Sequence, residues 1–211
     1  MSRGMFITFE GGDGVGKTTQ ATALKQHLIG LGHQVLLTRE PGGTDVGKQI
    51  REILLHSKTH IDPKAEALLF AADRAHHINT LVIPALERGV FVVQDRYIDS
   101  TIAYQGAGRT LDTSELLGIS LWAANGLLPN LTILLDLDPR AAAARVASEG
   151  KAFDRLEAEA DEFRSRLRDG YLDCARKEPG RFLIVDASLP VDTITRVVIG
   201  AVDERLASAG L

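Results

Sequence analysis

With 211 residues, 45% of them apolar and 25% charged, the chain has the size and balance of one well-buried α/β domain. A net charge of −4 argues against a broad nucleic-acid footprint or an anionic membrane surface as partner. Cys174 is the only cysteine, which excludes an internal disulfide and a cysteine metal cage and fits a reducing cytoplasm. The apolar run after Met1-Ser2-Arg3-Gly4 is too short for a signal peptide, and nothing later approaches a membrane span, so a cytoplasmic protein is expected.

The first element in the chain is the apolar run Met5–Phe9, read as a strand. It leads into Gly11-Gly12-Asp13-Gly14-Val15-Gly16-Lys17-Thr18, the G-x-x-x-x-G-K-[ST] pattern of a phosphate loop. A helix follows, with Ala21, Leu24, Leu28 and Leu31 at helical spacing until Gly32 stops the run. Strand, loop and helix in that order are the context in which the pattern binds a nucleoside triphosphate. The glycines let backbone N–H groups turn toward a polyphosphate, Lys17 adds a point charge, and Thr18 offers a hydroxyl to Mg²⁺.

Further strands are expected at Val35–Leu37, Val90–Val93, Leu131–Leu137 and Phe182–Val185, near-continuous apolar runs of the kind found in parallel sheets covered on both faces. Helix starts are marked at Asp62-Pro63, Asp112 and Asp138-Pro139, and ends at Gly126 and Pro179-Gly180. Pro84 is expected to kink or split a long helical stretch. The final helix carries Ile194, Val197, Val198, Ala201 and Val202 on one stripe. No repeat and no linker divides the chain, so 1–211 is read as a single doubly wound α/β domain, with ligands beyond the carboxyl ends of its strands.

Asp95 follows the third strand, where a carboxylate would stand beside the phosphate loop and hold Mg²⁺ directly or through water. Arg96 comes next and could clamp phosphate oxygens; a plain surface turn is the competing reading. Arg39-Glu40-Pro41-Gly42-Gly43 lies at the end of the second strand, and Arg51 on a helix whose apolar stripe is Val46, Ile50, Ile53 and Leu54. Phe70 and Arg74, spaced i, i+4, could stack on a base and bond its carbonyl, or be a core ring beside a solvated arginine. Thr101 and Gln105 share the same spacing with Tyr104 between them, a set that suits the imide edge of a pyrimidine and a sugar wall. His76-His77 diverge on their helix, Trp122 is expected in the core or on a dimer face, and Cys174 is read as an ordinary thiol.

Five segments, taken together, resemble the bacterial thymidylate kinase family. They are Phe-Glu-Gly-Gly-Asp-Gly-Val-Gly-Lys-Thr-Thr from Phe9, Thr-Arg-Glu-Pro-Gly-Gly from Thr38 and Leu-Phe-Ala-Ala-Asp-Arg from Leu69. Asp-Arg-Tyr-Ile-Asp-Ser-Thr-Ile-Ala-Tyr-Gln-Gly from Asp95 and Phe-Asp-Arg-Leu-Glu from Phe153 complete the set, in order along nearly the whole chain. The resemblance implies transfer of a phosphoryl group from ATP to thymidine 5′-monophosphate (dTMP), a five-stranded parallel sheet with helices on both faces, a mobile lid, Mg²⁺ and a homodimer. Carried over by motif, Gly11 to Thr19 and Arg145 would bind ATP. Phe70 would stack on thymine, Arg74 would bond its carbonyl, and Thr101 and Gln105 would meet the imide edge. Tyr104 would lie against the deoxyribose, with Tyr97 next in line, and Asp13 would reach the 3′-hydroxyl. Arg51 and Arg96 would bind the monophosphate, and Glu40 would stand with Thr18 and Asp95 near the metal. Gly14 occupies a position where some members carry arginine, so the charge at the transferring group is expected from the lid at 145–156, through Lys151 or Arg155, and an arginine placed at 14 is expected to restore part of the activity lost when a lid charge is removed.

Rival classes are separated by sequence. A regulatory GTPase would show an Asn-Lys-x-Asp motif, which is absent, and an adenylate kinase would have glycine after the loop lysine where Thr18-Thr19 stands. A nucleoside kinase would need a carboxylate base, whereas Arg51 and Arg96 point to a charged acceptor. A kinase for another monophosphate stays open on these residues.

Overall fold

In the computed structural model, residues 4–148 and 161–210 are described. Lys151 and Arg155 therefore lie outside the described residues, as does most of the expected lid.

Five strands form one all-parallel sheet in the order β2-β3-β1-β4-β5. They are β1 (Phe6–Glu10), β2 (Val35–Arg39), β3 (Phe91–Asp95), β4 (Leu131–Asp136) and β5 (Phe182–Asp186). Expected and observed strands agree in place and differ at the ends. β2 and β3 run further than their apolar stretches because the ladder continues through polar residues, pairing Thr38 with Gln94 and Arg39 with Asp95. Asp95 is thus the last residue of β3, level with Phe9 of β1.

Alternation along the strands builds a core on each side of the sheet. Ile7, Phe9, Val93, Ile133 and Leu135 face Leu24 and Leu28 of α1 (Lys17–Gly30) and Val198 and Val202 of α9 (Val191–Ala209). Phe6 and Val92 face the other way, onto Ile78, Leu86 and Tyr97. Among the described residues six further α-helices follow β2, up to position 148: α2 (Asp45–His56), α3 (Pro63–His77), α4 (Ile83–Glu87), α5 (Ile98–Thr101), α6 (Thr113–Ala123) and α7 (Pro139–Ser148). The last before β5 is α8 (Asp161–Lys177). The expected aspartate caps are in place: Asp62, Asp112 and Asp138 each accept two backbone N–H bonds from the first turn that follows.

Among the described residues two π-helical turns interrupt the helical layer. Ile78–Val82 lies just before Pro84, whose missing N–H and bulky ring disfavour the α register there, and Ile83 N accordingly bonds Ile78 O. Ile102–Gly108 carries Tyr104 and Gln105, and Arg109 N closes the turn on Tyr104 O at 2.9 Å. Trp122, on α6, is 81% exposed, so the core reading for it is overturned.

β1 has β3 on one side and β4 on the other; the chain lays down β2 and β3 on one side of it and then crosses to β4 and β5 on the other. The carboxyl end of β1 is where a doubly wound sheet opens a crevice, and the glycine-rich loop begins there.

Candidate active site

The loop from Gly11 to Gly16 turns sharply between β1 and α1. Gly11 and Gly14 hold φ values of 132° and 75°. A Cβ at Gly11 would stand 2.5 Å from Leu135 O, and one at Gly14 2.7 Å from both Ala142 O and Val146 Cγ2. Both positions exclude side chains for steric and conformational reasons. The expectation that an arginine at 14 could replace a lid charge is corrected accordingly, because α7 fills the space it would need.

Lys17 Nζ folds over the loop and donates to Gly11 O at 3.0 Å and Gly12 O at 2.6 Å. Thr18 Oγ1 donates to Asp95 Oδ2 at 2.9 Å, so the loop hydroxyl and the strand-end carboxylate stand together. Asp95 Oδ1 is buried without a partner. A hard cation that takes oxygen ligands and shares them with phosphates fits that pair, since the orphaned oxygen is the group such an ion would satisfy.

Arg96 is the hub of the site. Its backbone is left-handed, with φ of 68°, and its N–H bonds Phe9 O at 2.9 Å. The guanidinium reaches Gly11 O at 3.1 Å and Tyr171 hydroxyl at 3.0 Å through Nη1, and Asp13 and the Tyr104 hydroxyl through Nη2. The Tyr104 hydroxyl donates to Asp13 Oδ2 at 2.8 Å. Burial alone would raise the Asp13 pKa, but Arg96, Lys17 and Tyr104 together hold it down at about 2.

Glu10 keeps the strained turn in place from below. Its carboxylate accepts Tyr97 N at 2.7 Å on one oxygen and Ser100 Oγ at 2.6 Å on the other. Burial first, then the neighbouring Asp99, raises its pKa from 4.5 to about 7, against the opposing pull of Ser100, Arg96 and Tyr97. A carboxyl with a raised native pKa contributes stability that is complete below its unfolded value and lost as pH rises through about 7. Compared with Glu10→Gln, which does not titrate, the native chain should lose relative stability as pH is raised from 5 to 8. Denaturant midpoints of the two proteins across that interval test this; parallel curves would contradict it.

A cavity of about 590 Å³ opens beside Arg96, and Arg51, Phe70, Arg74, Thr101, Tyr104 and Gln105 all line it. The helical spacing expectation for Phe70 with Arg74 and for Thr101 with Gln105 therefore places both pairs around one space. Arg74, however, is 2% exposed and largely committed. It donates to Glu40 Oε2 at 2.9 Å and, at 3.1 Å each, to Ser120 Oγ, Tyr97 O and Thr101 Oγ1. Of its five N–H donors one Nη1 hydrogen is left for a ligand.

Two assignments need correction. Glu40 does not face the metal pair: its oxygens are taken by Arg74 and by His77 Nδ1, 3.0 Å away. Tyr97 lines the cavity beside Arg96 but does not offer its phenol to a sugar, because its hydroxyl donates to Leu127 O at 2.9 Å and its ring packs edge-on against Phe6. His77, read as an unremarkable helix residue, is fully buried and joins Glu40 to Thr38 Oγ1, 2.7 Å from its Nε2.

A second cavity, about 660 Å³, lies on the other side of Asp13 and Tyr104, between β4, α7 and α8. Its walls are mainly apolar, including Leu134, Val146, Phe163 and Leu167. Arg145 is exposed near the end of α7 and is not among the described residues lining either space. Cys174 is buried and its thiol is pushed up to about 12, chiefly by that burial, as an inert thiol should be. Glu10, Glu66, Ser100 and Tyr171 are site residues that sequence reasoning missed; only Glu10, closing an apolar strand, stood out by its polarity, whereas Ser100 and Tyr171 lie among polar and charged neighbours.

The comparisons with known proteins agree in one direction. The family model described as thymidylate kinase matches residues 9–198. The chain is 61% identical over 203 residues to a thymidylate kinase of Leifsonia xyli subsp. xyli, covering 96% of each chain. It is 48% identical to that of Deinococcus radiodurans over 205 residues, 97% of this chain and 99% of the other. The crystal structure of thymidylate kinase from Ehrlichia chaffeensis superposes with a TM-score of 0.80 at 33% identity, covering 95% and 99% of the two chains.

Proposed function

The chain belongs to the thymidylate kinase family, and we propose that its phosphate loop and the cavity beside Arg96 are the donor and acceptor halves of one phosphoryl-transfer site. The reaction is transfer of the γ-phosphoryl group of ATP to dTMP, giving ADP and dTDP. One observation carries the assignment of the halves: Asp13, inside the phosphate loop, is bonded to both Arg96 and Tyr104, which line the acceptor cavity. The two substrates would meet across that contact.

Phosphoryl transfer asks the protein for alignment, charge neutralisation and exclusion of water. At neutral pH a phosphate monoester is largely the dianion, so the acceptor oxygen needs no general base. Lys17 and the loop N–H groups would hold the ATP phosphates, and Arg96 would exchange part of its present bonding for oxygens of the monophosphate, with Arg51 at the same cavity. Mg²⁺, if bound by Thr18 and Asp95, supplies charge neutralisation at the ATP phosphates. On sequence grounds alone Lys151 and Arg155 are proposed as cations for the transferring group and Arg145 as an ATP contact.

Phe70 would stack on thymine, with Thr101, Gln105 and the remaining Arg74 donor at its edge and Tyr104 against the sugar. Phe70→Ala is expected to weaken dTMP binding by about 1–3 kcal/mol, the worth of one base–aromatic stack, with ATP affinity unchanged. Calorimetric titration with each nucleotide separates the two. Equal weakening of both would move Phe70 out of the acceptor half.

A cytoplasmic homodimer of one-domain chains, 1–211, completes the proposal. Support comes from the exposed Trp122 for the dimer. For the location it comes from the single cysteine and from the lack, among the described residues, of any helix long and apolar enough to cross a membrane. Sedimentation as a monomer at micromolar concentration would rule the dimer out. The decisive test of the site reading is ADP release across a panel of nucleoside monophosphates: dTMP should be used well ahead of purine and cytosine monophosphates.

A further inference from the structure

Glu66 is fully buried in α3, one helical turn before Phe70 and two before Arg74, on the same face of the helix. Its Oε1 accepts Gln105 Nε2 at 2.8 Å, and Arg109 Nε approaches the same oxygen at 3.4 Å. Gln105, 1% exposed, lies in the π-turn and contributes to the wall of the acceptor cavity. A primary amide has a donor end and an acceptor end, and rotation by half a turn exchanges them. An ionised carboxylate only accepts. The carboxylate of Glu66 therefore fixes the NH₂ end of Gln105 toward α3 and leaves Oε1 as the atom a ligand meets.

We propose that Glu66 is a positioning residue that locks the Gln105 amide with its oxygen toward the ligand, and so selects a base edge that donates N–H. Thymine and uracil present such an imide N3–H. Cytosine presents an acceptor at N3, which would oppose Gln105 Oε1 with two lone pairs facing each other in a buried space. The proposal rests on the acceptor cavity holding the base as described above. It adds the reason why an amide, a side chain that could read either edge, would read only one.

The test compares kcat/KM for dTMP and dCMP in the native protein, in Glu66→Gln, and in the exchange Glu66→Gln/Gln105→Glu. In Glu66→Gln the amide at 66 can donate or accept, so Gln105 is free to turn over. The dTMP-to-dCMP ratio should then narrow by about tenfold or more, the worth of one hydrogen bond reversed, with KM for ATP unchanged. The exchange keeps an amide-to-carboxylate bond with the partners swapped, and position 105 again presents only acceptor oxygens. Its ratio should return to within about threefold of the native value. A native ratio in Glu66→Gln, or an exchange variant as unselective as the single one, overturns the proposal. If Glu66→Gln fails to fold, the exchange variant decides alone by whether it keeps or loses the dTMP preference. A native protein that uses dCMP as well as dTMP would overturn the reading of the cavity and this proposal with it, whereas a selective native protein with an unaffected variant overturns this proposal alone.

Discussion

Replacing Lys17 by Met is expected to lower kcat by about two to three orders of magnitude, the usual loss when one preorganised charge or donor at developing negative charge is removed. Methionine nearly matches the length of the lysine stem and suits a side chain that is only 7% exposed. What disappears is the ammonium group. Gly11 O keeps a partner, since Arg96 Nη1 bonds it at 3.1 Å, so stability should fall by no more than about 1 kcal/mol. The measurement is ADP release at saturating ATP and dTMP, set beside a denaturant curve for the same protein. Turnover close to the native value in a folded variant would remove Lys17 from the catalytic apparatus.

Arg74→Ala is expected to act first on the fold. The guanidinium is the main counter-charge to the buried carboxylate of Glu40, and it ties Ser120, Tyr97 and Thr101 to α3. Removing one member of a buried ion pair leaves an uncompensated charge and typically costs about 3–5 kcal/mol. Among the described residues His77 would be the remaining side-chain partner of the Glu40 carboxylate. Adding Glu40→Gln to Arg74→Ala should recover part of the loss, because the stranded charge goes with it. Denaturant midpoints of the single and double variants decide the matter, and a single variant within about 1 kcal/mol of native would mean the pair contributes little. Any change in base preference measured on Arg74→Ala must be read against this loss of stability.

The sheet was legible because parallel strands covered on both faces are mostly apolar, as Leu131–Leu137 is apart from Thr132 and Asp136. Strand ends were less legible, since pairing carried Thr38, Arg39 and Asp95 into the ladder despite their polarity. The phosphate loop is a local device, and local spacing reveals it. The acceptor cavity was legible only as pairs at helical spacing, which fix a face but not what that face meets. Hence Phe70 and Gln105 share one cavity wall, as helical spacing allows, while Arg74 is mostly engaged within the fold and Glu40 is turned to Arg74 and His77. Glu10 and Tyr171 escaped notice because their partners lie far along the chain: Ser100 is 90 residues from Glu10, and Arg96 is 75 from Tyr171. No spacing rule reaches across such separations.

The π-turn at Ile102–Gly108 also bears on how this region tolerates change in length. A π-turn holds one residue more than the α-helical turn it replaces, so deleting a single residue there would restore the commoner and locally more favourable hydrogen-bond register. Every side chain beyond the cut would rotate by about 100° about the helix axis. Tyr104 would leave Asp13, or Gln105 would leave Glu66, depending on which residue was removed. Point substitutions in this segment alter one contact at a time, whereas a shortened segment would re-aim the whole wall of the cavity. In a lineage of such chains, insertions and deletions should therefore accumulate in the surface loops and spare these seven residues, even though a six-residue version would make the better helix.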